Sequence, residues 1–275
     1  VDHGGDGLAA DPIGSVRARM VPDEARGMSG AAAAAPGVGV LTVLFAKGGM
    51  GDVGRHVVAQ ALQRHDALRV RAVARPEDMA LLDAQPAGAE ARLERIELDP
   101  ATDGPGLEKA VSGADAVVSC IGNRQPGFER WGAAGTRNLV GAMSRAGVNR
   151  VVAISSVGVK SDFPPMPWCW QGYLFGAMLK TIIRSAYRDI TALEGALATS
   201  SLDYVLVRPT GLDPNEVPVK AYRLVDRNAR PYPKELTIAK EDCALFMLDQ
   251  IFAPTLSRTA VTIVKPPPAE TASSK

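Results

Sequence analysis

The feature that most constrains this chain is an apolar, β-branched run, Val40-Leu41-Thr42-Val43-Leu44-Phe45-Ala46, that leads through Lys47 into glycines spaced G-x-x-G-x-x-G at Gly48, Gly51 and Gly54. An amphipathic pattern follows at Val53, Val57, Val58, Ala61 and Leu62, so the stretch reads as strand, tight turn and helix. In such a turn Gly48 takes a backbone conformation closed to other residues, Gly51 lets the backbone approach a pyrophosphate with no Cβ in the way, and Gly54 lets the helix lie close to the strand. Gly49, Met50, Asp52 and Val53 complete the loop. The first-turn N–H groups and the positive end of the helix macrodipole then offer an anion site. A glycine triplet alone says little among 27 glycines, but its place between a strand and a helix is the context that a dinucleotide-binding turn requires.

Composition removes several alternatives. With 46% hydrophobic and 22% charged residues over 275 positions, the chain has enough apolar material for a sizeable core. Its 31 basic and 30 acidic residues leave a net charge of +1, which gives no electrostatic reason to expect nucleic acid or an anionic membrane as a partner. Cys120, Cys169 and Cys243 lie far apart, so neither a disulfide framework nor a zinc site is indicated, and a reducing compartment is expected. No apolar run reaches the roughly 18 residues of a membrane span.

Residues 1–36 carry Gly, Ala and acidic residues with little periodicity. They read as a disordered tail, a cloning remnant or what is left of a targeting sequence, although Asp2, Asp6, Asp11, Asp23 and Glu24 argue against an organelle presequence. A cytoplasmic location is expected, or an organelle stroma or matrix if the segment is a processed remnant. Residues 266–275 read as a flexible tail.

Between the tails, 37–265, short apolar runs alternate with helical ones. Strands are predicted at 68–74, 92–98, 114–121, 150–154, 202–207 and 259–264, and helices at 76–83, 104–112, 129–146 and 240–251, with Gly147 as a C-cap. Alternating strands and helices imply right-handed crossovers and a doubly wound parallel sheet, an α/β fold. Residues 209–239, broken by five prolines, are the expected place for a small substrate-facing part.

Ligands of such sheets lie at the carboxyl ends of the strands. Arg75 ends the second strand, where the adenosine ribose belongs; an arginine there suits a 2′-phosphate, which it clasps with parallel N–H bonds, and so favours NADP over NAD. Otherwise it is a solvated residue opening a helix. Asp99 either accepts from the adenine amino group or starts the turn before Pro100. Gly122 and Asn123 follow the fourth strand, Asn123 facing the nicotinamide ribose or capping the next segment. Ser155 and Ser156 follow the fifth strand, with the Ser156 hydroxyl placed for a substrate carbonyl or serving only the turn. Pro209 follows the sixth.

These residues, in order, resemble the short-chain dehydrogenase/reductases, and within them the atypical NmrA-like group that includes the biliverdin IXβ/flavin reductases. The motifs are Gly48 to Gly54, Ala74-Arg75-Pro76, Leu98-Asp99, Ala116-Val117-Val118-Ser119-Cys120-Ile121-Gly122, Gly147-Val148-Asn149-Arg150-Val151-Val152, Ile154-Ser155-Ser156-Val157-Gly158, Leu202-Asp203-Tyr204-Val205-Leu206-Val207-Arg208-Pro209 and Lys240-Glu241-Asp242-Cys243-Ala244. The resemblance implies a Rossmann fold with NADP(H) as cofactor. It departs from the family at two places. Gly49 and Met50 replace the usual Ala and Thr of the loop, removing a hydroxyl that helps to fix it. The Tyr-x-x-x-Lys pair that many relatives carry falls, aligned on Glu194, on Ala186 and Ile190, with Tyr187 one residue off and Thr191 four residues beyond it.

The biliverdin/flavin reductase-like proteins also do without that pair, which keeps an enzyme in view. Their histidine after the sixth strand is replaced by Gly211. With His3, His56 and His65 as the only histidines, neither a histidine mechanism nor a metal site is expected. Residues 163–173 hold two tryptophans and read either as a lid for an aromatic or conjugated substrate or as a packed surface or dimer contact. Lys180, Arg184 and Arg188 recur at four-residue spacing, a solvated stripe or an anion guide. The expectation is an NADP(H)-dependent reductase, monomeric or homodimeric, passing hydride to a carbonyl, quinone, flavin or conjugated acceptor, with Ser156 and Tyr187 as candidate catalytic residues. The alternative is a non-catalytic NADP(H)-binding redox sensor or assembly protein.

Overall fold

Apolar, β-branched runs make strands that can be buried on both faces, and the central strands of this chain are. The computed structural model describes residues 37–48, 50–83, 88–122, 130–157, 159, 184–213, 215–225 and 237–266. Its strands are β1 (Val40–Leu44), β2 (Arg69–Ala74), β3 (Leu93–Glu97), β4 (Ala116–Ser119), β5 (Arg150–Ile154), β6 (Asp203–Pro209), β7 (Arg223–Val225) and β8 (Thr259–Val264). They form one sheet in the order β3-β2-β1-β4-β5-β6-β8-β7, in which β7 alone runs antiparallel, against β8. The chain direction of winding reverses between β1 and β4. In an open α/β sheet that reversal opens a crevice at the carboxyl ends.

The helices are α1 (Val53–Arg64), α2 (Gly104–Val111), α3 (Trp131–Ala146), α4 (Arg184–Ala198) and α5 (Lys240–Phe252). One layer pairs α1 with α5, and the other runs α2, α3, α4. Pleating sorts β1 accordingly: Leu41 and Val43 join Val57, Val58, Phe246 and Met247 in one core, while Leu44 joins Val117, Leu139, Met143 and Leu193 in the other. The α/β doubly wound class is the observed one, and the predicted strands correspond to β1 to β6 and β8.

Local chemistry sets the ends. Asp103 caps α2 by accepting the Gly106 N–H at 2.8 Å. Gly147, at φ 72°, closes α3, and the Val148 N–H returns to the Met143 carbonyl at 3.0 Å. The helix expected over 76–83 is a 3₁₀ helix, Pro76–Leu82, whose bonds run three residues back, Asp78 N–H to Arg75 O at 2.9 Å. Strand β7 was not foreseen, because three residues at a sheet edge show no readable alternation. Among the described residues no helix is long and apolar enough to cross a membrane.

Candidate cofactor-binding site

The glycine turn leaves β1 and enters α1 through a series of short backbone bonds. Gly51 N–H reaches Gly48 O at 3.0 Å, Val53 N–H reaches Met50 O at 3.2 Å, and Gly54 N–H reaches Gly51 O at 3.0 Å. Gly48 sits at φ 91°, a conformation that L side chains disfavour. A Cβ on Gly54 would lie 2.2 Å from Phe45 Cβ, so only glycine lets α1 come this close to the chain leaving β1. At Gly51 the obstacle is the loop itself: a Cβ would lie 2.2 Å from the Ala46 carbonyl oxygen. Glycine is therefore demanded there by the turn's own tightness, before any ligand is considered.

The loop's departures from the family pattern have structural counterparts. Met50 is buried, and its terminal methyl, Cε, lies where a Cβ on Gly122 would come within 2.5 Å. The thioether thus fills the space between the glycine turn and the end of β4. Asp52 ties the loop on both sides. Its Oδ1 accepts the Gly48 N–H at 2.7 Å, and its Oδ2 takes the Lys240 ammonium at 2.7 Å from the start of α5. Burial works to raise the Asp52 carboxyl, but the Lys240 hydrogen bond and charge and the Gly48 amide outweigh it and hold the group below the usual carboxylate range. His56 and Glu241 extend this seam between α1 and α5 at 3.4 Å.

Arg75 stands at the end of β2 with only 12% of its side chain exposed. Its Nε and Nη2 meet Asp78 Oδ2 at 2.9 and 2.8 Å, and its Nη1 meets Glu77 Oε1 at 3.1 Å. The guanidinium also lies over the Trp131 ring, 5.4 Å from its centroid. Trp131 in turn donates its indole N–H to Asp99 Oδ1 at 2.9 Å, and the same oxygen accepts the Ala101 N–H at 2.8 Å. Asp99 therefore makes the turn before Pro100 and anchors the platform beneath Arg75.

At the ends of β5 and β6, Ser155 and Ser156 are buried. Ser155 donates its hydroxyl to Glu194 Oε1 at 2.5 Å, and Arg208 closes on the same carboxylate, Nε to Oε1 at 2.8 Å and Nη2 to Oε2 at 2.7 Å. Sequence reasoning used Glu194 only to align a helix and missed this cluster; an arginine inside the apolar strand β6 was the available signal that a buried acid must lie opposite. Pro209 O accepts the Val157 N–H at 3.4 Å. Tyr187 is half-buried on α4 and donates its hydroxyl to Val157 O at 3.1 Å, beside the β5 turn that carries Ser156. Ala186 and Ile190 are buried, so the two positions of the acid/base pair are apolar in the fold as well as in the sequence.

Asp189, one turn before Leu193, accepts the Gly132 and Ala133 N–H groups at 3.0 and 2.9 Å and so ties α4 to the start of α3. Burial pushes its carboxyl up, and the two amides and Arg137 pull it part of the way back. Burial also pushes up the thiols of Cys120 and Cys243, which removes them as nucleophiles. Gly49, Asn123, the segment 163–173, Lys180 and the side chain of Arg184 lie outside the described residues. Among the described residues no group of His, Cys, Asp and Glu is placed to hold a metal ion.

A glycine turn opening α1, beside the winding reversal of a mostly parallel sheet, defines a dinucleotide-binding protein of the Rossmann type. The chain belongs to the NAD(P)H-binding family, which matches residues 48–254, and it shares its fold with a solved short-chain dehydrogenase/reductase. Similar solved structures include a wide-type short-chain dehydrogenase/reductase from Veillonella parvula in complex with NADP, at 21% identity, covering 84% of this chain and 96% of that one with a TM-score of 0.64. The anaerobillin reductase ChuY from Escherichia coli O157:H7, at 21% identity, covers 84% and 100% with a TM-score of 0.59. The oxidoreductase ylbE from Lactococcus lactis, at 16% identity, covers 82% and 91% with a TM-score of 0.60. None of the curated proteins compared by sequence matches the chain. At these identities the likeness to the solved structures is one of fold.

Proposed function

We propose that this chain is an NADPH-dependent reductase that passes hydride to a small carbonyl or conjugated acceptor. The observation that carries the cofactor preference is Arg75, held by Asp78 and Trp131 at the end of β2, where Rossmann proteins place the adenosine ribose. Gly48, Gly51 and Gly54 shape the turn for the pyrophosphate, and Gly122, Ser155 and Pro209, at the carboxyl ends of β4, β5 and β6, would face the nicotinamide. NADPH supplies the hydride, and the protein supplies orientation and exclusion of water. The acceptor gains the hydride from the cofactor and one proton from Tyr187, from Ser156 or from water. The anaerobillin reductase among the similar folds makes anaerobillin a natural acceptor to test beside flavins and quinones.

Arg75→Ala is expected to weaken NADPH by about 1–3 kcal/mol while sparing NADH, as for the loss of a charge-assisted hydrogen bond. Because Asp78 is 1% exposed, the variant should carry Asp78→Asn as well, so that no buried carboxylate is orphaned. Equal losses for both cofactors, measured by fluorescence titration, refute the assignment. Tyr187→Phe is expected to lower turnover by about 100-fold with NADPH affinity unchanged, the effect of removing a general acid; turnover that is unaffected assigns the proton to Ser156 or water.

The buried apolar Ala186 and Ile190 favour a second reading, an NADP(H)-binding sensor that catalyses nothing. It calls for stoichiometric NADPH binding with no oxidation across all three acceptor classes, and for a partner whose binding differs between NADPH and NADP⁺.

A further inference from the structure

We infer that Glu77 sets how strongly this site prefers a phosphorylated cofactor, by competing with the 2′-phosphate for Arg75; the inference rests on the NADPH reading above. A guanidinium offers one edge at Nε and Nη2 and another at Nη1 and Nη2. In Arg75 the first edge belongs to Asp78, through bonds of 2.9 and 2.8 Å to a carboxylate that is 1% exposed. One face is covered by Trp131, whose indole is itself anchored on Asp99. These contacts fix where the cation sits.

Glu77 is different in kind. It reaches Nη1 at 3.1 Å, yet 61% of its side chain is exposed, so solvent screens the pair and its release opens no buried charge. Pro76 and the 3₁₀ turn, closed by Asp78 N–H on Arg75 O at 2.9 Å, return Glu77 to the arginine two residues before it. The buried acid holds the arginine in place, and the exposed acid sits on the end that a second anion would take.

A 2′-phosphate carries about −1.5 to −2 charges near neutral pH and cannot share Nη1 with a carboxylate without repulsion. NADPH must therefore displace Glu77, whereas the neutral 2′-hydroxyl of NADH need not. Glu77 consequently narrows the gap between the two cofactors without touching the pyrophosphate turn.

The test uses the full chain and the probe pairs NADPH with NADH and 2′,5′-ADP with 5′-AMP. Glu77→Gln is expected to tighten NADPH and 2′,5′-ADP by about 1.5- to five-fold, the scale of one exposed ion pair, and to leave NADH and 5′-AMP unchanged. The gain should shrink as salt is raised. Glu108→Gln, which removes a carboxylate paired with Arg145 between α2 and α3, is the net-charge control and should change none of the four. Equal tightening of all four ligands, or no tightening of the phosphorylated pair, overturns the role of Glu77. The two claims fail separately: a selective loss of NADPH in the Arg75→Ala/Asp78→Asn variant, with Glu77→Gln silent, removes the competitor and keeps the NADPH site. A non-selective loss in that variant removes both.

Discussion

Arg208→Ala is expected to destabilise the fold by about 3–5 kcal/mol, the range for removing one partner of a buried ion pair. Glu194 is fully buried on α4, and the Arg208 side chain on β6 is 7% exposed, so the carboxylate that remains cannot reach water without local opening. Ser155 would be left as its donor among the three groups of the cluster, with one bond at 2.5 Å where three stood before. Glu194→Gln should cost less, about 1–3 kcal/mol, because it removes the charge and keeps the shape and one acceptor. The discriminating variant is Glu194→Met with Arg208→Met. Replacing both charges by apolar groups of similar volume should recover most of the loss, since the penalty comes from the orphaned charge and not from packing. Urea midpoints for the four proteins decide the matter; a double variant as unstable as Arg208→Ala would mean that the cluster is held by its geometry.

How much of this was legible in the sequence depends on how far apart the interacting residues lie. Strands β1, β4, β5 and β6 were readable because burial on both faces demands long apolar runs, and Gly147 because a left-handed C-cap selects glycine. The glycine turn was readable as a turn. The reason for Gly51 was not, since the Ala46 carbonyl that excludes a Cβ is five residues away in a geometry that no pattern specifies.

Side-chain partnerships were the least legible. Asp99 was open between a turn and a ligand contact, and its bond to Trp131, 32 residues on, is set by where α3 begins. Arg75 was recognised as a cation in the right place, but not as one already flanked by two acids. In the sequence Tyr187 is a candidate catalytic hydroxyl, one residue out of register with the family's pair. Its partner, the Val157 carbonyl, is known only once α4 is laid beside β5. Local propensity fixes elements, whereas the pairing of polar groups depends on the tertiary arrangement that brings them together.

Asp52 and Lys240 lie farther apart still, 188 residues, and this pair yields the broadest expectation for ligand binding. Lys240→Met is expected to weaken NADPH and NADH alike, by about 1–3 kcal/mol or roughly 5–150-fold. The pyrophosphate is common to both cofactors, and the Asp52 carboxylate lies in the turn that should receive it. With Lys240 present, its charge is neutralised at 2.7 Å while its other oxygen holds the Gly48 N–H at 2.7 Å. Without Lys240, a partly buried negative charge would face an incoming anion, and the loop would lose its tie to α5. The pH dependence has a definite sign: the folded Asp52 is held below the usual carboxylate range, so its stabilisation is present above the unfolded value and is lost as pH falls through the lowered folded one. Lys240→Met should move that acid limb upward. Lys240→Arg should restore both binding and pH profile, and Asp52→Asn combined with Lys240→Met should recover the electrostatic part alone. Unchanged affinity for both cofactors in a folded Lys240→Met protein would leave the pair as a brace between helices. A uniform loss, set against the selective effects at Arg75 and Glu77, would divide the site into one end that grips any dinucleotide and another that reads its ribose.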